Sequence, residues 1–432
     1  LSFCLTGILL SGTVCWAAFE RIGLGGYKQA ALSWMFRHSK LPWSLLLHVS
    51  IMIILRHYGI TEGEVAGDDT EKKRAKLTKR IDKAHKLFDK KTGGYINGQE
   101  LVVLYLITDK ISLPVGFEFY LPDPALVKWQ KNDDVLKKRG VKKSERPPKP
   151  ERDPKYPTKA TLMLKLLKEF KFYHPDIRIK AILGDALYGS ALFMNHAAGI
   201  FTGAQVISQL QKTQSILYRN QKMSIEKYFS TYPGVEMTIR IRGEEVTVTL
   251  GAARLYVKAH EQKRFVVALK YEGEEDYRYL VASDMSWRAV DIASAYTLRW
   301  LIEVFFEDWK LHEGWGRFAL QPGEEGSSRG LTLSLLSDYA LILHPEQSAR
   351  VKDNLPACTV GSLKRKSQMD ALIDVIRGIV DDDDPHKKLD EIIVVAKQLF
   401  PLKDSAKHMN GRELGRLEPT PSLKYRAAAC ME

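Results

Sequence analysis

Asp68, Asp185 and Glu303 stand 117 and 118 positions apart, in three segments of different character: GDDT, AILGDALYG and AYTLRWLIEVFFEDWK. Carboxylates gathered from separate parts of a chain can hold two divalent ions, one activating an attacking oxygen and one stabilising a leaving oxygen in phosphoryl transfer. Around Glu303, the residues Tyr296, Arg299 and Lys310 complete a series with steps of three, four and seven positions. On a uniform helix turning about 100° per residue, all four lie within roughly 60° of arc. A tyrosine, two cations and a carboxylate on one stripe are a poor core pattern but suit a catalytic acid flanked by phosphate-binding groups. Blander readings stand beside this one. An amphipathic helix laced by salt bridges has the same spacing, and Glu307 competes with Glu303 for the same side. Asp185 before Ala186 also reads as a helix N-cap, and Asp68 and Asp69 as turn residues beside Gly67.

Carboxylates of this kind need rigid supports, usually strand ends and a helix facing them. TEGEVAGDD reads as a short strand that breaks at Gly67. The basic stretch after it, with Lys72, Lys73, Arg74, Lys76, Lys79 and Arg80, either neutralises a DNA backbone or is simply solvated. ELVVLYLITDKISLPVGFEFYLP gives two strands around an Asp-Lys turn. Residues 122–158, rich in lysine and proline, read as a long loop. Then come a helix (TLMLKLLKEF), a strand ending at Asp185 (IRIKAILGD), a helix (ALYGSALFMNHAAG) and a strand (GAQVISQLQ). An antiparallel meander extended by helical crossovers is the pattern of a ribonuclease H-like core. The alternating segments from about 216 to 283 predict an antiparallel β insertion, and a helix is expected from about Ala289 to His312.

The fold class expected is therefore α/β: a ribonuclease H-like mixed sheet with a β-rich insertion and flanking helical regions. The division is 1–60, helical and a candidate DNA-binding region; 61–215, the first part of the core; 216–285, the insertion; 286–350, the catalytic helix and end of the core; and 351–432, a helical region suited to dimerisation or DNA contact. The chain has 432 residues, 45% of them hydrophobic and 27% charged, which provides for a sizeable core. Its formal charge of +13 favours a polyanionic partner, with nucleic acid the leading candidate. Cys4, Cys15, Cys358 and Cys430 are too scattered for a zinc ribbon or finger. The uncharged run Leu1 to Phe19 raises a membrane span or a targeting segment, but its serines, threonines and glycines favour buried helices. There is no P-loop and no dinucleotide glycine fingerprint. Trp300 and Trp309 are expected to pack in the core or between domains.

The segment YTLRWLIEVFFEDWK, with its Y-x2-R-x3-E-x6-K spacing, resembles the signature of bacterial insertion-sequence DDE transposases of the IS4 type. DDT at 68–70 resembles that family's first catalytic block and GDALYG its second, so the resemblance spans roughly residues 60–350. It implies that Asp68, Asp185 and Glu303 are catalytic and bind two Mg2+ ions, with Mn2+ able to substitute. It also implies that Tyr296 and Arg299 hold the backbone of the transposon end and that Lys310 contacts a phosphate near the scissile end. The D-x-T pattern selects Asp68 as the first ligand, whereas a slip of one residue selects Asp69. The implied activity is metal-dependent cleavage at insertion-sequence ends followed by strand transfer, with inverted-repeat and target DNA as partners and a homodimer in the synaptic complex. No membrane is implied, and the location would be cytoplasmic and nucleoid-associated. In that family a flipped base can stack on a tryptophan of the insertion, and Trp287 is the one nearest the insertion's end here. The competing readings are a ribonuclease H-like nuclease without strand transfer and a catalytically silent DNA-binding remnant.

Overall fold

The computed structural model describes residues 1–74, 81–89, 93–241, 243–318 and 323–401. Lys76, Lys79, Arg80, Cys430 and the last part of the 351–432 region lie outside the described residues. The first apolar run folds as α1 (Ser2–Ser11), the two-residue strand β1 (Thr13–Val14) and α2 (Trp16–Ile22). It is interrupted at Gly12, whose φ of 66° caps α1 in the left-handed region that suits glycine. Next come α3 (Gln29–His38) and α4 (Trp43–Tyr58). Ile8, Phe19, Phe36, Ile51 and Ile54 are fully buried. Among the described residues, no single helix is long and apolar enough to cross a membrane.

The first half of the sheet is built from β2 (Glu62–Arg74), β3 (His85–Asp89), β4 (Gly94–Ile107) and β5 (Ser112–Tyr120), with α5 (Pro124–Lys138), α6 (Lys159–Tyr173), β6 (Arg178–Gly184), α7 (Ala191–Ile200) and β7 (Gln205–Leu210). β4 lies antiparallel to β2, β3 and β5, β6 runs parallel to β2, and β7 runs parallel to β6. The order β5-β4-β2-β6-β7 is a three-stranded meander extended by two helical crossovers, which is the ribonuclease H-like arrangement expected. Burial on both faces explains the unbroken apolar run Leu101–Ile107 of β4.

Two local expectations are corrected here. β2 does not break at Gly67 but continues to Arg74, because Gly67 to Arg74 pair with Leu104 to Asn97 of β4. Asp68 therefore lies within a strand and not at its end. Residues 122–158 are also more ordered than a loop, since Pro124–Lys138 is helical. The Asp123 carboxylate accepts from the N–H groups of Ala125 and Leu126, and Pro124 takes the first turn, where no N–H is needed.

The insertion comprises β8 (Ser215–Tyr218), β9 (Gln221–Ser224), α8 (Ile225–Thr231), β10 (Val235–Ile241), β11 (Glu244–Val257), β12 (Gln262–Tyr271) and β13 (Arg278–Ala282). All its pairings are antiparallel. Arg219 and Asn220, at φ 48° and 62°, form the tight β8–β9 turn, whose left-handed residues match the strand twist. β13 pairs antiparallel with β7, so the insertion continues the core sheet.

The chain returns through α9 (Ala289–Thr297), α10 (Trp300–His312), β14 (Gly314–Phe318), α11 (Gly323–Ile342), α12 (Pro345–Lys352), α13 (Val360–Val380) and α14 (Pro385–Leu399). The single helix expected over 289–312 is broken at Leu298 and Arg299. There the backbone bonds Leu298 N–H to Ala295, Arg299 N–H to Tyr296 and Leu301 N–H to Leu298 span three residues instead of four and tighten the turn. Trp309 is fully buried, as the core reading required, and stacks on Trp315 with ring centroids 5.0 Å apart. Trp300 is 46% exposed, so core packing does not describe it.

Candidate active site

β2 and β6 bring the first two acids together through register. Gly67 pairs with Gly184, so the next residue of each chain, Asp68 and Asp185, lies side by side at the same edge of the parallel pair. A glycine precedes each acid for a steric reason. A Cβ on Gly184 would stand 2.8 Å from Cβ of Tyr188, and one on Gly67 would stand 2.4 Å from Cε of Met163. Tyr188, fully buried beneath the acids, therefore packs directly on the backbone that carries Asp185. That backbone is fixed twice more: Ser208 Oγ donates to the Asp185 carbonyl at 2.5 Å, and the Asp185 carboxylate accepts from the Leu187 N–H at 2.9 Å. The N-cap reading of Asp185 is thus correct locally, for a single 3-10 turn, and coexists with its place beside Asp68.

The third acid arrives on α10. Arg299, at the α9–α10 break, donates from Nη1 to Asp68 Oδ2 at 2.6 Å and from Nη2 to Glu303 Oε1 at 2.5 Å. One guanidinium thereby joins the strand acid to the helix acid. Tyr296 comes from the other side of the break, and its hydroxyl donates to the Gly184 carbonyl at 3.2 Å. The uniform 100° step does not carry across this tightened turn, so Tyr296 turns toward the sheet and Arg299 toward the carboxylates. Glu307 is exposed on α10, and it is Glu303 that Arg299 contacts.

The electrostatics mark Asp68 as a carboxylate short of positive charge. Burial pushes it up to about 6, even though Arg299 and the Asp69 N–H pull the other way, and Asp185 adds to the rise. Burial also raises the Tyr296 phenol. Asp69 points elsewhere. Lys159 Nζ donates to Asp69 Oδ2 at 2.9 Å and to Glu100 Oε1 at 2.5 Å, so Asp69 belongs to a separate ion-pair cluster on the next strand. Glu71 and Glu100 are direct cross-strand partners, and Lys159 offsets part of that like-charge pairing.

A cleft of about 730 Å³ opens over this region, lined among others by Asp69, Glu71, Lys159, Asp185 and Lys310. Lys310 lies over the Phe306 ring at 5.9 Å. Its charge, after burial and Arg74, helps lower Lys72 to about 8. Of the basic stretch after the first acid, Arg74 does structural work. It is buried, and its Nε and Nη2 donate to Gln99 Oε1 at 2.9 and 2.7 Å. That role was not visible in the run of cations, because Arg74 is opposite Asn97 on β4 and reaches Gln99 diagonally.

The residues fit a divalent cation by donor chemistry. Two carboxylates lie side by side at the ends of the β2–β6 pairing, one of them raised by burial, and Arg299 links that one to a third carboxylate on α10. As placed, no group of three acidic, histidine or cysteine side chains among the described residues is close enough to hold an ion.

Residues 25–225, which contain Asp68 and Asp185 and end before Glu303, match the model of the DDE superfamily endonucleases. No curated protein matches the chain. A solved structure of the piggyBac transposase synaptic complex with hairpin DNA is similar over 94% of this chain and 77% of that one, with 11% identity and a TM-score of 0.42. The family similarity is thus at the level of the superfamily.

Proposed function

We propose that this protein is a DDE transposase of the IS4 type that cleaves DNA at the ends of its own element and joins the freed ends to target DNA by a cut-and-paste route. The observation that supports the proposal is the pairing of β2 with β6, which sets Asp68 beside Asp185, together with the bridge by Arg299 from Asp68 to Glu303 on α10. Asp68, Asp185 and Glu303 would hold two Mg2+ ions, which Mn2+ could replace and which would activate the attacking oxygen and stabilise the leaving one. Arg299 and Lys310 would contact DNA phosphates, each from the cleft that it lines. Tyr296 is buried, and its hydroxyl supports the Gly184–Asp185 turn from below. Similar charge placement at each in-line transfer lets one site serve successive cleavage and joining steps.

Double-stranded inverted-repeat ends and target DNA are the proposed partners, and the net charge of +13 suits them. The synaptic unit is proposed to be a homodimer formed through α13. Met369, Leu372, Ile373, Ile376 and Val380 lie along one side of that helix and are exposed. Arg365 lies near its start and Asp383 beyond its end, both exposed. Antiparallel pairing of two copies about Asp374 would set each Arg365 against the other copy's Asp383.

The test uses the purified chain, Mg2+ and DNA carrying both flanks of its own gene, with strand-specific mapping of breaks and joins. Glu303→Ala and EDTA reactions run alongside. Paired breaks at repeat ends with joined products, absent from both controls, are expected. Cleavage unrelated to those ends would replace the proposal with a nuclease that does not transfer strands, and binding without chemistry would indicate a silent remnant.

A further inference from the structure

Arg299 holds one oxygen of each of two proposed metal ligands, Asp68 Oδ2 and Glu303 Oε1. A guanidinium and a metal ion cannot both sit between them at those distances, and like charges would repel there. The contact is not walled in. Arg299 also lines a second cleft, of about 440 Å³, whose other walls include Gln209, Tyr271, Arg278 and Trp300. It stands at the tightened break between α9 and α10, and its guanidinium carbon lies 6.0 Å from the centre of the Tyr296 ring. The side chain thus has an open region to move into, with a second arginine across it. A phosphodiester passing there would offer Arg299 what the carboxylates offer now, an anion with two oxygens matched to the guanidinium fork.

We infer that Arg299 is a latch on the metal site: it occupies the facing oxygens of Asp68 and Glu303 until a DNA phosphate draws it away, so that metal binding and DNA engagement are coupled. The inference rests on the proposed metal role of these carboxylates. Arg299 is a positioning residue in this scheme. It moves no proton and forms no bond; it exchanges one anionic partner for another. Because coupling between two binding events is reciprocal, DNA must tighten metal binding by the factor by which metal tightens DNA binding.

The test measures Mn2+ binding by the loss of the free-ion electron paramagnetic resonance signal. The full chain, Arg299→Gln and Glu303→Ala are each measured with and without saturating duplex DNA from the flanks of the gene, with the DNA-only signal subtracted. Thermal unfolding confirms that each variant is folded. The unaltered chain is expected to bind Mn2+ about tenfold more tightly with DNA than without, within the usual range of coupling. Arg299→Gln should bind without DNA about as tightly as the unaltered chain does with it, and DNA should add little. Glu303→Ala should lose the DNA-stimulated binding. Equal Mn2+ affinity of the unaltered chain with and without DNA would overturn the latch while leaving the metal site standing. So would weaker binding by a folded Arg299→Gln, which would make Arg299 a fixed strut. Absence of Mn2+ binding by every form would overturn the metal site itself, and the latch with it.

Discussion

At the scale of single residues, Gly184 is as constrained as the acid that it precedes. Gly184→Ala would push a methyl group to within 2.8 Å of the Tyr188 Cβ, on a buried ring that has no free space to retreat into. We expect a loss of about 1–3 kcal/mol in unfolding free energy from overpacking, and a fall in DNA cleavage larger than that loss explains, because the backbone carrying Asp185 must move. Denaturant unfolding and cleavage assays on the same preparation separate the two effects. Asp68 makes an opposite prediction for stability. Its carboxyl is raised to about 6, chiefly by burial, above its unfolded value near 3.8. The folded chain therefore holds that proton more readily than the unfolded chain. Stability falls as pH rises from about 4 to 6 and stays lower above it. Without divalent ions, Asp68→Asn should stabilise the protein by about 1–3 kcal/mol at pH 7.5 and by little at pH 4.5, while abolishing cleavage. Equal unfolding free energies for the two proteins at both pH values would refute this.

At the scale of elements, α10 and α11 are joined by an acidic pair that no motif announced. Glu313, just past α10, and Asp338, on α11, are both buried. Burial raises Glu313 strongly and pushes Asp338 up to about 7, with Asp308 adding to both. Burial and the neighbouring carboxyls thus favour the protonated form of each. Because both folded values are raised, this stability is present in acid and lost as pH rises through about 7. Asp338→Asn is expected to flatten the decline in unfolding free energy between pH 5.5 and 8, and a slope equal to that of the unaltered protein would count against a raised Asp338 carboxyl. Such a pair is invisible in sequence because it is made by tertiary approach. The elements that were legible are those whose periodicity is local, such as the β4–β5 hairpin, α6, β6 and the insertion strands. The length of β2 was not, because polar residues from Asp68 to Arg74 are held in a strand by pairing with β4 and not by their own preference. Nor was the α9–α10 break, since nothing in TLRW departs from helical composition. Type and spacing did single out Asp68 and Glu303, which Arg299 links, and Asp185, which lies beside Asp68. The contact that sequence could not supply is the bridge from Arg299 to Asp68, which spans 231 positions.

At the scale of the whole molecule, the exposed apolar side of α13 separates two forms of assembly. Changing Ile373 and Ile376 together to lysine should shift the protein toward a monomer in sedimentation experiments at micromolar concentration. Far-ultraviolet circular dichroism should stay unchanged, because both residues are exposed. Cleavage of DNA carrying paired ends should fall more than binding of a single end. A sedimentation profile unaltered by the double substitution would remove α13 from the interface.

The pairing of β7 with β13 has a consequence for anyone redesigning the chain. Looping out the insertion by joining the end of β7 to the start of α9 looks harmless on a sequence map. It would strip the outer side of β7, whose residues Ile207 to Leu210 now exchange hydrogen bonds with Ala282 to Tyr279. A bare strand edge without a charged residue is an invitation to intermolecular pairing. A shortened protein of that kind should precipitate unless a replacement strand or a charged cover is supplied, so the insertion is a seal on the core sheet as well as an extension of it.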